Sequence, residues 1–347
     1  MGEFSQANGI QLLEAIIAGY EVQARIGEAT IPSDRQIETI KGEGTYQIFG
    51  AVTAAAKLLN LSEKEISNAF GIAGSNAPIP SIRKSWGNKE LGVTMVKNNC
   101  AIASLTGVLS VFLAKNGFTG PTNIFEGEKG FWRMMGSDQF FPERLGKDLG
   151  KRYRIMGVSF KAYPCGHFMH SSIDAALKTI RSHDIDIKEI DSILVKTHPF
   201  VAEFLSAKNP KNCIHGSFSL PFIMSLEILE LPYGLEEQFR RNIRNKSVCK
   251  LMEKVQIEGC MPKKSKTKEY YPAEAIIKSG SKTYRERVDY PSGSRMNPMS
   301  DSQLKEKFFR LTEDPLGRQK SHELFERLSN LEKVKNVKKE IIPLIQS

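Results

Sequence analysis

The stretch from Ser159 to Leu177, SFKAYPCGHFMHSSIDAAL, gathers Tyr163, Cys165, His167 and His170 around one proline and one glycine. Proline fixes φ and glycine permits positive φ, so Tyr163 to Gly166 reads as a turn. His170, Ser171 or Ser172 then caps a helix from Ile173, with Ile173, Ala176, Leu177 and Ile180 on one face. Two imidazoles near a helix N-terminus outline an anion site, because free N–H groups and the macrodipole favour a carboxylate there. The bland alternative is a strand-turn-helix whose histidines only cap or pack. A zinc site on Cys165, His167 and His170 is weaker, since the C-x-H-x-x-H spacing lacks paired arms and a fourth ligand. Cys165 as a nucleophile lacks a visible orienting partner.

Around this cluster the pattern is helical, then mixed, then helical again. Ile10 to Ile26 is an amphipathic helix, and Thr45 to Leu59 is rich in small residues suited to close packing. Ser62 to Glu65 is a capping box opening the next helix, which the Gly71 to Ser75 run ends or thins. Cys100 to Leu113 reads as a buried helix stopped by glycine and proline. Residues 154–160, 190–196, 254–259, 273–279 and 283–288 read as strands, with Gly280 turning the last pair into a hairpin. Ser217 to Leu229 is a second buried helix with Pro221 in its first turn. Helices return after Asn297. The expected fold is mostly α: a helical bundle domain from 1–152 and 297–347, with a smaller α+β domain at 153–296 acting as a lid.

At 347 residues and 40% hydrophobic, the chain can bury a sizeable core. The net charge of +10 is spread widely, and no aromatic-rich basic element accompanies it, so nucleic acid is not expected as a partner. Five cysteines without regular spacing fit a reduced, cytoplasmic compartment. No apolar run is long enough to cross a bilayer.

The segments AGYEVQARIGEA, FGAVTAAAKLLNLSEKEISNAFGIAGS, LAKNGFTGPTNIFEGEKGF, FKAYPCGHFMHSSIDA and NPKNCIHGSFSLPF together resemble the MmgE/PrpD family, in the family's order and over nearly the whole chain. That family includes 2-methylcitrate dehydratase, cis-aconitate decarboxylase and an iminodisuccinate epimerase. The resemblance implies a homodimer without metal or organic cofactor, and a site between helical domain and lid that moves a proton beside a carboxylate of a small polycarboxylate. It implies Lys97 and His170 as catalytic residues, with Tyr163, His167 and Ser219 as further contacts. The activity expected first is elimination of water from 2-methylcitrate, in propionate catabolism.

Two departures leave a competing reading open. The family's upstream Asp-x-x-x-Thr and His-Pro-Gly segments are absent, so the chain reads as N-terminally shortened. Where the family carries His-Pro-Thr, this sequence has Ile40-Lys41-Gly42-Glu43-Gly44-Thr45. Lys41 binds a carboxylate but shuttles protons poorly at neutral pH unless burial lowers its pKa. A decarboxylase or epimerase of the family, or a catalytically impaired dimeric paralogue, is the alternative.

Overall fold

The computed structural model describes residues 1–37, 45–78, 99–260 and 271–346. Helices of eight residues or more are numbered α1 to α10. Packing divides the described residues into two compact units, one from 1–37, 45–78, 99–157 and 312–346, the other from 158–260 and 271–311.

The first unit is helical. Its helices are α1 (Gly9–Ala29), α2 (Gln47–Leu58), α3 (Glu63–Ser75) and α4 (Asn99–Lys115), joined at the other end of the chain by α10 (Arg318–Ser329). Small residues let α2 lie against both α1 and α4. The core centres on Phe49, whose ring lies 4.8 Å from Phe125 and 4.8 Å from Phe131. The Ser62 capping box forms as the sequence suggests. α3 ends at Ser75, at the close of the Gly71 to Ser75 run, and the glycines also admit a neighbouring segment, since a Cβ on Gly71 would stand 2.5 Å from the Pro121 carbonyl oxygen.

The reading of Cys100 to Leu113 as a wholly buried helix needs correction. α2 and α3 cover one side of α4, while Ile102, Leu105 and Leu109 are 51%, 65% and 53% exposed. The strand expected at 154–160 is also absent: Arg154–Gly157 is a 3₁₀ turn. Its amide at Arg154 donates to Glu21 Oε2 at 2.5 Å, which coils the segment back onto α1.

Gly9 opens α1 with its N–H on the Val334 carbonyl at 2.8 Å. A Cβ there would stand 1.6 Å from the Leu331 carbonyl oxygen, and that oxygen belongs to backbone that cannot swing aside. Gly9→Ala is therefore expected to cost about 1–3 kcal/mol, the usual penalty for overpacking. A urea titration checks it, and an unchanged midpoint would mean that residues 331–334 do not dock on α1.

The second unit is α+β. Its four-stranded sheet runs β2 (Val255–Gly259), β1 (Ile190–Thr197), β3 (Ala273–Ser279), β4 (Lys282–Val288) in spatial order. β1 is parallel to β2 and antiparallel to β3, and the β3–β4 hairpin turns at Gly280 with φ of 57°. α5 (His170–Ser182) packs on the sheet with Ile173, Ala176 and Leu177 inward. α6 (Leu220–Ile228) is buried nearly all round, with Pro221 in its first turn. α7 (Glu236–Ile243), α8 (Lys246–Glu253) and the start of α9 (Asp301–Leu316) complete this unit. Among the described residues no helix is long and apolar enough to cross a membrane.

Candidate active site

The helix carrying the histidines begins earlier than its sequence suggests. His167–Met169 forms a 3₁₀ turn that runs straight into α5 at His170, and no side chain caps the start. Gly166 makes this entry possible, because Phe218 packs where a larger side chain would sit and the Gly166 N–H donates to the Ser217 carbonyl at 3.0 Å. Tyr163, His167 and His170 consequently meet edge to face: the His170 ring centroid lies 5.1 Å from Tyr163 and 5.0 Å from His167.

His170 is fully buried, and neither of its ring nitrogens has a hydrogen-bond partner among the described residues; His167 Nε2 is likewise unpaired. Burial, then the neighbouring His167, Lys161 and Lys307, hold the His170 imidazole well below its ordinary pKa. The nearby Tyr163 carbonyl favours protonation weakly but is outside hydrogen-bonding geometry. His167 is lowered by burial and then by Lys161. Both imidazoles are neutral at pH 7, each able to take a proton.

The cations that surround them come from two places. Lys161 Nζ donates to the Cys165 carbonyl at 3.2 Å, and Lys307 Nζ, from α9, donates to the Lys161 carbonyl at 2.5 Å. Tyr163 is fixed from the other side, its hydroxyl donating to Asp174 Oδ1 at 2.5 Å. Burial first, then the Asp174 charge, pushes the phenol above its usual range. It is an orienting group at neutral pH, not a base.

The structure thus brings Tyr163, His167 and His170 together and adds Lys161, Asp174 and Lys307, which the sequence reading did not assign. Asp174 lies one helical turn beyond His170 and carries a spacing signal; Lys307 arrives from distant sequence and carries none. Ser219 is placed differently. Its hydroxyl donates to the Ala207 carbonyl at 2.5 Å and accepts from the Phe222 N–H at 3.3 Å, so it is committed to capping α6. Lys41 and Lys97 lie outside the described residues. Among the described residues no group of three or more His, Cys, Asp or Glu is placed to hold a metal ion.

The family models for the MmgE/PrpD N-terminal and C-terminal domains match residues 1–143 and 163–332. The chain belongs to the MmgE/PrpD family. Among its relatives, "Cis-aconitate decarboxylase-like protein oryM" of Aspergillus oryzae is 28% identical over 52% of this chain and 37% of its own length. Human "Cis-aconitate decarboxylase" is 23% identical over 87% of this chain and 62% of its own length, and that of Aspergillus terreus is 23% identical over 72% and 53%. The chain therefore spans between a third and two thirds of these MmgE/PrpD relatives.

One consequence of the site's electrostatics is readable without any substrate. A histidine whose folded pKa is depressed leaves the folded state binding fewer protons than the unfolded one below pH 6.5, so that stability falls as pH falls. His170 is expected to contribute a slope of up to about 1.4 kcal/mol per pH unit below pH 6.5. Denaturant titrations at pH 7, 6 and 5 on the native protein and His170→Gln test this. Parallel losses in the two proteins would show that His170 already takes up its proton in the folded state.

Proposed function

We propose that this MmgE/PrpD protein is a lyase acting on a small di- or tricarboxylate, with His170 as the proton carrier. The observation that carries the reading is the neutral imidazole pair, His170 fully buried and His167 half-buried, set among lysines: the ammonium groups attract a carboxylate-bearing guest, and the imidazoles exchange a proton with the carbon beside it. Lys97 and Lys41 are the proposed further carboxylate contacts.

The relatives' names favour loss of CO₂ from a substrate of the cis-aconitate class over elimination of water from 2-methylcitrate. In the first reaction the carbon left by departing CO₂ takes up a proton; in the second a base removes a proton and hydroxide leaves as water. The neutral state of both imidazoles supports the second as the runner-up, because a base is what elimination needs first. A homodimer, a cytoplasmic location and independence from cofactors belong to the same proposal.

Purified protein should be incubated with cis-aconitate and with 2-methylcitrate, following CO₂ release and proton NMR in D₂O. Release of CO₂ with one deuteron placed on carbon supports the decarboxylase, and loss of water without CO₂ the dehydratase. Folded protein that converts neither, and exchanges no carbon-bound proton in either, would overturn the lyase reading.

A further inference from the structure

Within the α+β unit, a cavity of about 470 Å³ opens beside the imidazole pair but is not lined by either ring. Its volume lies in the range of roughly 300–1,000 Å³ common to small-molecule sites. Asp174, Lys178 and Arg181 reach it from one face of α5, Glu227 from α6, and Lys307 and Arg310 from one face of α9.

The charges in this cavity are oddly divided. Lys178 is satisfied by Glu286 at 2.8 Å, and Lys307 by the Lys161 carbonyl. Asp174, Glu227, Arg181 and Arg310 form no ion pair among the described residues, although two of each sign line the same space. The carboxylates are instead held by neutral donors. Asp174 accepts from the Tyr163 hydroxyl and, at 2.6 Å, from the Ser292 N–H; Glu227 accepts from the Tyr233 hydroxyl. Burial raises both carboxyls, partly offset by those hydrogen bonds and then by the arginine charges, Arg181 on Asp174 and Arg310 and Arg181 on Glu227, with the Asp174 charge raising Glu227 slightly.

Depth separates the two signs. Asp174 and Glu227 are half-buried, whereas Arg181 and Arg310 are exposed. A simple anion attracted by the guanidinium groups would meet the two carboxylates below, with Glu306 also lining the space. A simple cation would meet both arginines in the same space. A guest carrying both charges completes an ion pair at each depth, and each guanidinium can grip a carboxylate through two parallel N–H donors.

We propose that this cavity binds a small zwitterion of the amino-acid class, its carboxylate held by Arg181 and Arg310 and its ammonium directed to Glu227 and Asp174. This cavity adjoins the site proposed for catalysis and shares Tyr163, Asp174 and Lys307 with it, while neither imidazole lines it. Tyr163 touches both, its ring against His170 and its hydroxyl on Asp174, so the occupied cavity has a direct route to the imidazole pair.

Calorimetric titration of the native protein with L-alanine, L-glutamine and L-glutamate tests this, each compared with its deaminated acid and its decarboxylated amine. At least one amino acid is expected to bind tenfold or more tightly than both of its half-molecules. Arg181→Ala combined with Arg310→Ala should weaken that binding at least tenfold, and so should Glu227→Gln. The arginines are exposed and the glutamine keeps an acceptor for Tyr233, so thermal melts should confirm folded variants. Equal binding of the acid alone, binding that survives in either variant, or no binding of any of the three to folded protein would overturn the assignment.

Discussion

His170→Gln is expected to lower kcat by about 10²- to 10⁴-fold while leaving a folded protein, the range that a positioned acid or base contributes. The size follows from where the ring sits. His170 is fully buried, with no hydrogen bond committing its nitrogens to the fold, so its proton chemistry is not already used in holding structure. Glutamine retains polar atoms and comparable bulk but cannot exchange a proton near neutrality. His167→Gln should cost less, because His167 is partly exposed and water can stand in for it. Steady-state kinetics across pH separates chemistry from packing: loss of the titrating limb of kcat in His170→Gln is the expected signature. If turnover in a folded His170→Gln protein stays within a few-fold of native, the ring only packs and the proton carrier lies elsewhere.

How much of this was legible in the sequence depends on how local each contact is. Tyr163, His167 and His170 meet because one turn and one helix start bring them together, and those elements carry their own signals in proline, glycine and spacing. Capping at Ser62, the Pro221 helix start and the Gly280 hairpin are local in the same sense. Residues 154–160 misled because apolar residues crowd a stretch whose conformation is set from outside. Glu21 captures the Arg154 amide, while Met156 stays 77% exposed. At Ser219 spacing does not show that the hydroxyl also serves the helix it begins. Nothing near Lys161 announces that Lys307 will reach its carbonyl. Nor does spacing reveal that Arg181 and Arg310 will share a cavity with Asp174 and Glu227.

Arg25→Ala is expected to destabilise the protein by about 3–5 kcal/mol, the cost of breaking a buried ion pair from one side. On sequence, Glu21 and Arg25 are an ordinary i,i+4 pair on a helix surface, worth about 0.2–0.5 kcal/mol. The structure changes their weight, because the two side chains are only 7% and 3% exposed and joined at 2.6 Å. Arg25 Nη1 also donates to the carbonyls of Lys147 at 2.6 Å and Leu145 at 3.2 Å, while Glu21 Oε2 holds the Arg154 N–H. The pair therefore pins residues 145–154 onto α1. Removing the guanidinium strands a buried carboxylate and leaves carbonyls without their donor. Lysine cannot restore the planar fork, so Arg25→Lys should recover less than half of the loss. Replacing both partners, as in Glu21→Gln with Arg25→Met, should cost less than Arg25→Ala alone, because no unpaired charge remains. Guanidinium titrations of the four proteins rank these losses, and limited proteolysis should cut Arg25→Ala first between 145 and 154. An Arg25→Ala loss below about 1 kcal/mol would place this pair with solvent-screened surface bridges.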